Sequence, residues 1–311
     1  MITKCQFISR THCPCCYQKI NPNTETIGGG LDSSSTLTQI RDAWIGMGLQ
    51  KHFKYYKCSE CKSLITSAYP DKETAEALYS SMPRNMESAV SLEHQKQNQD
   101  SYARHIADYA KSHGGYNKKL SMLEIGADCG LLIESISAEL GSNFINCAAI
   151  EPNSVVRNQL EAVLKTTSES YTIENDIYNI NPESNRQFDV IAAIHVFDHV
   201  FNIRQMLIHL KSLLANEGFI YIVVHNPQSS VAWMLGKKWP PYCPQHPQLY
   251  TQNGIKKMAK DLGFKLMKTG RTTNNFSLAM LADFLKLPIP FADKINISLP
   301  LGNRYYILAA K

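Results

Sequence analysis

Long hydrophobic runs are missing from this 311-residue sequence. No stretch approaches the ~20 consecutive apolar residues that a helix needs to cross a bilayer. The first residues, Met-Ile-Thr-Lys-Cys-Gln, also lack the charged-then-apolar pattern of a secretory signal peptide. We therefore expect a cytoplasmic protein without a membrane span.

An excess of charge of one sign is also missing. The sequence has 32 Lys and Arg against 27 Asp and Glu, so its formal net charge is only +5, and the basic residues are scattered. A basic stripe of the kind that binds nucleic acid is therefore not evident. Internal repeats and low-complexity tracts are lacking as well. The composition, 44% hydrophobic and 19% charged, is that of an ordinary globular protein long enough for two domains.

Cysteine, in contrast, is concentrated near the N-terminus: six of the nine cysteines precede residue 62. In a reducing compartment such a cluster indicates a metal site before disulfides. Two C-x-x-C pairs offer the four thiolates of a tetrahedral Zn²⁺ site. The predicted ligands are Cys13, Cys16, Cys58 and Cys61. Cys15 or His12 could replace one of these four ligands. The other interpretation is that no metal binds and that the two C-x-x-C motifs are unrelated pairs of buried thiols.

The spacing of the two pairs predicts how the first part of the chain is organised. The 41 residues between them exceed the ~15–20 of a compact ribbon, so we expect an insertion with a helix within Thr36–Leu49. A closed four-cysteine site has no open position for water or substrate, so its Zn²⁺ is expected to be structural. We therefore predict a zinc-ribbon-like domain over residues 1–70.

The polar residues 71–117 are predicted to form a helical linker or lid. Glu87–Ser112 reads as a long helix, with Gly114-Gly115 as its carboxyl-terminal stop. Residues 118–311 are predicted to form the third and largest unit, in which strands and helices alternate.

The first turn of that unit is the most informative. The apolar run Leu120–Ile125 ends at Gly126 and Gly130, and a helical pattern follows. In a doubly wound sheet such a turn lies at the carboxyl edge of the first strand, where ligands bind. Glu151, one β-α-β unit downstream, is placed to accept hydrogen bonds from ribose hydroxyls. The G-x-G-x-x-G spacing is absent, which disfavours NAD.

Later strand ends add further candidate residues. Asp176 and Ile177 follow a third strand and could contact an adenine from two sides. The alternative is that Asp176 is a solvated loop residue without a ligand. Phe188–Val200 is the strongest apolar run in the chain and suits a central strand buried on both faces. Its end carries His195, Asp198 and His199, which we expect beside the cleft.

This series of motifs resembles the class I S-adenosylmethionine-dependent methyltransferases over about residues 118–311. The resemblance rests on Glu124-Ile-Gly126-x-x-x-Gly130, Glu151-Pro152-Asn153, Asp176-Ile177 and Phe188-Asp-Val running into His195-Val-Phe-Asp198-His199-Val200. It implies an α/β fold with a doubly wound, mostly parallel, seven-stranded Rossmann-like sheet. The small N-terminal zinc-binding domain is similar to that of zinc-ribbon-bearing sugar and natural-product methyltransferases. One departure is Asp128, which replaces the middle glycine of the usual G-x-G-x-G turn.

The resemblance also implies roles for individual residues toward S-adenosylmethionine. Glu124 would hold the methionine amino group, Glu151 the ribose hydroxyls, and Asp176 with Ile177 the adenine. The remaining cofactor-binding residues implied in this way are Gly126, Ala127, Asp128 and Gly130 along the methionine and ribose, Pro152 after Glu151, and the backbone near His195 facing the methionine.

The function implied is methyl transfer to an oxygen or carbon of a small molecule, such as a sugar, a nucleotide-sugar or a related biosynthetic intermediate. A general base assists transfer to a hydroxyl or an acidic carbon, and histidine suits that role. The candidate catalytic residues are His199, His246 and His225, with Asp198 as an orienting group. Packing is the alternative role for His199, and His246 is preferred on the substrate side because its loop is rich in aromatic residues.

Two other functions remain open at this point. An RNA methyltransferase would bind nucleic acid through the zinc-ribbon-like domain, and its affinity for RNA would fall steeply as the salt concentration rises. A non-enzymatic zinc scaffold with a degenerate cofactor pocket would fail to bind S-adenosylhomocysteine (SAH). We expect a small-molecule partner rather than nucleic acid, and the motifs do not specify the acceptor atom or the oligomeric state.

Overall fold

The computed structural model describes residues 5–21, 23–44, 51–80, 92–113, 119–184, 187–277, 296–300 and 302–311. The strands are β1 (Phe7–Ser9), β2 (Thr26–Ile27), β3 (Gly30–Leu31), β4 (His52–Phe53), β5 (Tyr55–Lys57), β6 (Leu64–Thr66), β7 (Ala68–Pro70), β8 (Leu120–Ile125), β9 (Phe144–Ile150), β10 (Ser170–Glu174), β11 (Phe188–Ile194), β12 (Leu214–His225), β13 (Gln248–Leu249), β14 (Phe264–Arg271), β15 (Asn274–Ser277), β16 (Asn296–Leu299) and β17 (Asn303–Ala310). The α-helices are α1 (Leu37–Trp44), α2 (Lys72–Ser80), α3 (Leu92–His113), α4 (Leu131–Leu140), α5 (Arg157–Thr167), α6 (Ile203–Leu213), α7 (Ser230–Leu235) and α8 (Gln252–Asp261).

A seven-stranded sheet with the order β10-β9-β8-β11-β12-β17-β14 forms the centre of the larger unit. The five strands from β10 to β12 are parallel, and β17 runs antiparallel to both β12 and β14. The central strands are apolar and buried because helices cover both faces, as in other parallel sheets. The prediction of a Rossmann-like, mostly parallel sheet of seven strands is confirmed.

Two hydrophobic clusters lie on the two faces of this sheet. On one face α3, α4 and α5 contribute buried side chains such as Ile106 and Leu160. On the other face α6 and α8 contribute residues such as Leu207 and Ile255, and the cysteines of the N-terminal segment belong to the same cluster. The cysteine-bearing segment therefore packs directly against the seven-stranded sheet.

A smaller sheet connects the N-terminal, cysteine-bearing segment with the segment around residue 248. It has four strands in the order β13-β6-β5-β2, and β13 pairs with β6 through Gln248 opposite Ile65 and Leu249 opposite Leu64. The cap of α8 adds a second connection, because the Thr251 hydroxyl donates a 2.6 Å hydrogen bond to the carbonyl of Cys61. A strand from the carboxyl-terminal part thus completes the sheet of the N-terminal segment.

Several predicted boundaries differ from the observed ones. The helix predicted over Glu87–Ser112 is α3, and residues 87–91 and the predicted stop at 114–115 lie outside the described residues. The helix expected within Thr36–Leu49 is α1, and residues 45–50 are likewise outside the description. Within the described ranges, no helix is both long and apolar enough to span a membrane.

Candidate functional site

The glycine turn after β8 has the backbone path that its sequence requires. Gly126 has a φ of 72° and donates a 2.8 Å hydrogen bond to the carbonyl of Ile150. A Cβ on Gly126 would lie 2.8 Å from Cγ2 of Val196, so no larger residue fits without a shift. Asp128 has a φ of 47°. Aspartate is one of the few side chains that tolerate this left-handed conformation, so it can replace the glycine usual at this position.

Two buried carboxylates lie at this turn. Glu151 accepts 2.7 Å hydrogen bonds from the backbone N–H groups of Asp128 and Asn153. Glu124 is only 3% exposed, and its Oε2 has no hydrogen-bond partner among the described residues. Burial is the main cause that raises the pKa of both carboxyl groups, and the neighbouring acidic side chains raise the pKa of Glu124 further. The turn is therefore suited to a ligand that brings a cationic group and hydroxyl donors.

The other end of this edge carries Asp176 and Ile177. Ile177 is 6% exposed, and its carbonyl accepts a 3.1 Å hydrogen bond from Nε2 of His209. Asp176 accepts a 2.5 Å hydrogen bond from the ammonium of Lys72, which lies at the start of α2. Pro152 is exposed, whereas Ala127 is buried. The structure thus adds a lysine from the linker to the carboxylate that the sequence assigns to adenine.

Two of the candidate histidines and Tyr79 form a hydrogen-bonded chain with a defined direction. The carbonyl oxygen of Pro241 can only accept, so His246 donates to it from Nδ1 over 2.7 Å. The neutral His246 ring then accepts at Nε2 from Nε2 of His199, 3.3 Å away. His199 in turn accepts at Nδ1 from the hydroxyl of Tyr79 over 2.8 Å. This Tyr79–His199–His246 chain fixes both imidazole tautomers.

Burial keeps these imidazoles neutral. It is the largest cause that lowers the pKa of His199, to about 3, and the nearby His225 lowers it further. The pKa of His246 is also lowered well below its usual value, again mainly by burial. Each neutral imidazole keeps a lone pair that can receive a proton, which a ring with a lowered pKa holds only transiently.

The other two histidines form a second group with Asp198. The rings of His195 and His225 stack with centroids 4.4 Å apart. The amide of Asn303 bridges them, because its Oδ1 accepts from Nδ1 of His225 over 2.9 Å and its Nδ2 lies 3.3 Å from Nε2 of His195. Asp198 is fully buried, and its Oδ2 accepts a 3.0 Å hydrogen bond from the backbone N–H of His225. All four histidines at this edge therefore meet, in two groups.

The four predicted cysteine ligands also come together. Their sulfur atoms all lie within 4.8 Å of one another, with Cys13 Sγ 3.6 Å from Cys61 Sγ and Cys16 Sγ 3.4 Å from Cys58 Sγ. Four sulfurs around Zn²⁺ at about 2.3 Å stand about 3.8 Å apart, so these separations fit the metal. Of the alternative ligands, Cys15 adjoins Cys13 and Cys61, and its Sγ lies 3.6 Å from Ser63 Oγ. The exposed His12 stacks on Tyr17 instead.

Three residues that contact these groups were not predicted from the sequence. Tyr79 lies in the linker helix α2, Asn303 begins β17, and Tyr55 of β5 donates a 2.7 Å hydrogen bond to the carbonyl of His246. Each comes from an element that is remote in sequence from the histidine it contacts. No local motif marks such residues, because only the folded chain brings the elements together.

Comparison with known proteins identifies the family. A family model described as "Methyltransferase domain" matches residues 92–269, which is more than half of the chain. The "Ubiquinone biosynthesis O-methyltransferase, mitochondrial" of Dictyostelium discoideum is 29% identical over 132 residues, covering 39% of this chain and 40% of that protein. The matched part thus spans about two fifths of the relative's length.

Solved structures resemble this chain in fold. The plantazolicin methyltransferase BpumL, in complex with a pentazolic desmethylPZN analog and SAH, superposes with a TM-score of 0.50 at 17% identity, over 71% of this chain and 86% of that one. The magnesium protoporphyrin IX methyltransferase ChlM from Synechocystis PCC 6803, with bound SAM, has a TM-score of 0.49 at 13% identity, over 77% and 97% of the two chains. At these identities the likeness concerns the fold alone. Together with the match to the family model, the seven-stranded sheet and its glycine turn show that this chain belongs to the class I S-adenosylmethionine-dependent methyltransferases.

Proposed function

We propose that the chain transfers a methyl group from S-adenosylmethionine to an oxygen or carbon of a small molecule, a sugar, a nucleotide-sugar or a related biosynthetic intermediate. The observation that carries this proposal is the Tyr79–His199–His246 chain of neutral groups beside the glycine turn. Val196 connects this hydrogen-bonded chain to the glycine turn. Its side chain faces Gly126, and its carbonyl accepts a hydrogen bond from the backbone N–H of His199.

The buried, unpartnered oxygen of Glu124 is suited to the amino group of the cofactor's methionine. Glu151 would accept the ribose hydroxyls with the lone pairs that its two backbone hydrogen bonds leave available. The other residues proposed to line the cofactor are Gly126, Ala127, Asp128 and Gly130, with Pro152, Asp176, Ile177 and the backbone of His195. When adenine binds, Asp176 would either release its hydrogen bond from Lys72 or accept a second one from adenine.

Methyl transfer is an in-line displacement in which the acceptor atom attacks the methyl carbon and the carbon–sulfur electron pair moves to sulfur. Positioning of the two reactants in a dry site supplies much of the rate. The proton that leaves the acceptor would pass to the oxygen of Tyr79 as the Tyr79 proton moves to His199. The Nε2 proton of His199 would then move to His246, which ends as the cation. A base of this kind contributes ~10²–10⁴-fold.

The four cysteines support a structural Zn²⁺ in the N-terminal module. Four thiolates close the coordination sphere, so this ion would stabilise the fold without taking part in the reaction. We divide the chain into residues 1–70 as this module, 71–117 as the helical linker and 118–311 as the methyltransferase domain. A reducing compartment such as the cytosol suits the thiolate site.

The acceptor class is tested with S-adenosylmethionine labelled in its methyl group. The full chain is incubated with three panels, nucleotide-sugars, free sugars and non-sugar biosynthetic intermediates, and the products are read by mass. We expect one labelled methyl group on a member of one of these panels. Transfer to no compound of the three panels would contradict the small-molecule acceptor, and calorimetry without SAH binding would contradict the cofactor.

A further inference from the structure

The group formed by His195, Asp198 and His225 takes no part in the proposed proton path. Each of the three residues offers a ligand atom, and these atoms lie within 4.8 Å of one another. His195 follows β11 directly, Asp198 lies in the 3-10 turn Phe197–His199 after it, and His225 ends the neighbouring strand β12. The chemistry of this group is therefore open.

Two polar atoms in the group have no hydrogen-bond partner within the described part of the chain. They are Oδ1 of Asp198 and Nδ1 of His195. Because Nε2 of His195 faces the donor Nδ2 of Asn303, the proton on Nδ1 has to move to Nε2 and the Asn303 amide has to turn aside before Nδ1 binds a cation. Asp198 is 0% exposed, so bulk solvent does not reach its unpartnered oxygen. A buried carboxylate oxygen without a partner costs free energy. Such an atom indicates a bound group that the protein is built to hold.

The surroundings of His225 and His195 also point to a ligand. His225 donates from Nδ1 to Oδ1 of Asn303, which leaves a lone pair on Nε2. Metal-binding histidines have this arrangement, in which the second ring nitrogen donates to a carbonyl or carboxylate. His195 has a φ of 54°, a strained conformation for a residue other than glycine. Strain of this kind concentrates at functional sites.

From these observations we propose that His195, Asp198 and His225 bind a divalent first-row transition-metal ion at a second site, separate from the four cysteines. Two imidazoles and one carboxylate are the donor set that such ions accept. Three protein ligands leave coordination positions for further oxygen atoms, in contrast to the closed cysteine site. The site lies beside the Tyr79–His199–His246 chain, because the rings of His225 and His246 are 5.2 Å apart. A hydroxyl or carbonyl oxygen of a small molecule could therefore complete the coordination sphere.

The probe is Co²⁺ added to the full chain that already carries zinc on its cysteines. Cobalt bound to thiolates gives a sulfur-to-metal charge-transfer band, whereas cobalt bound to nitrogen and oxygen does not, so absorbance separates the two sites. We expect one equivalent of Co²⁺ to bind without the charge-transfer band. Asp198→Asn keeps the size of the side chain and should weaken this binding at least tenfold, and His225→Gln should do the same. His113→Gln, on the exposed end of α3, is the matched histidine control and should bind Co²⁺ like the unaltered chain.

Two outcomes would overturn the proposal. One is Co²⁺ uptake by the unaltered chain only with the thiolate band. The other is unchanged Co²⁺ affinity in both Asp198→Asn and His225→Gln. SAH binding by calorimetry is measured on each variant to show that it is folded, and this readout also keeps the test independent of the proposed methyl transfer.

Discussion

Individual residues at the turn after β8 form the proposed cofactor end of the site. Asp128 adopts a left-handed backbone and presents its N–H to the carboxylate of Glu151. Glu151 is therefore fixed by the backbone before any ligand arrives. Such pre-organisation reduces the entropy cost of binding, because the side chain has no freedom left to lose.

Replacing Glu151 with Gln should weaken SAH binding by about tenfold or more. The change removes the charge that accepts the ribose hydroxyls, and hydrogen bonds to charged groups are worth about 1.5–3 kcal/mol. Calorimetric titration measures the effect. Glu161→Gln, on the exposed surface of α5 beside Lys165, is the matched control and should bind SAH normally. Equal SAH affinity of the two variants would show that Glu151 does not contact the ligand.

The affinity for SAH should also depend on pH. Burial raises the pKa of Glu124 and of Glu151, so both carboxyl groups hold protons at a higher pH than usual. Only the ionised forms attract the amino group of the ligand, so affinity should rise as pH rises through these pKa values, and binding should release protons. Calorimetry from about pH 5 to about pH 8 in buffers of different ionisation enthalpy counts those protons. Glu124→Gln should flatten the profile, and an unchanged profile would argue against this role.

His246→Ala should lower turnover about 100-fold or more and leave SAH affinity unchanged, because the variant removes the end of the proton path but no cofactor contact. The rate is measured with the acceptor that the labelled panels identify. His113→Ala is the control and should keep full turnover. Normal turnover of His246→Ala would exclude it from the mechanism.

At the scale of elements, the site depends on pieces that lie outside the main sheet. The helix α2 brings Lys72 and Tyr79, and the segment before β13 brings His246. Tyr55 of β5 holds the carbonyl of His246, and Gln245 donates to the carbonyl of Trp44 over 2.5 Å. The position of His246 is thus set by the cysteine-bearing segment.

Tyr55→Phe should loosen the loop that carries His246. Loss of a buried hydrogen bond costs about 1 kcal/mol, which should raise amide exchange in residues 239–250 about fivefold. Hydrogen-exchange mass spectrometry measures this change. Tyr56→Phe is the matched control, because Tyr56 is partly exposed and its ring lies under Lys54. If both variants exchange alike, the Tyr55 hydroxyl does not position the loop.

Sequence reasoning succeeds for elements and fails for the contacts between them. The strand Leu120–Ile125 and the two C-x-x-C pairs were predictable because a strand pattern or a thiol spacing is local. The pairing of β13 with β6 joins residues more than 180 positions apart, and no periodicity reports such a partner. Asp176 illustrates the same limit, since its contact with Lys72 joins two segments that look unrelated in sequence.

At the scale of the whole molecule, the cysteine-bearing segment and the seven-stranded sheet are expected to unfold together, because they share one hydrophobic cluster. Loss of the ion through Cys13→Ser should lower the unfolding temperature by about 10 °C or more, because each kcal/mol lost shifts it by about 2–4 °C. Scanning calorimetry of the full chain gives the value. Cys5→Ser, a cysteine outside the four ligands, should leave the temperature unchanged. An equal effect of both substitutions would argue against a metal on the four cysteines.

The placement of β13 in the N-terminal sheet has a consequence for protein engineering. A chimera that exchanges residues 1–70 with those of a relative would keep β13 from one parent and β6 from the other. The mismatched edge would misplace the loop before β13, and His246 with it. The smallest transplantable unit is therefore discontinuous, and a successful graft has to carry residues 239–251 along with the cysteines.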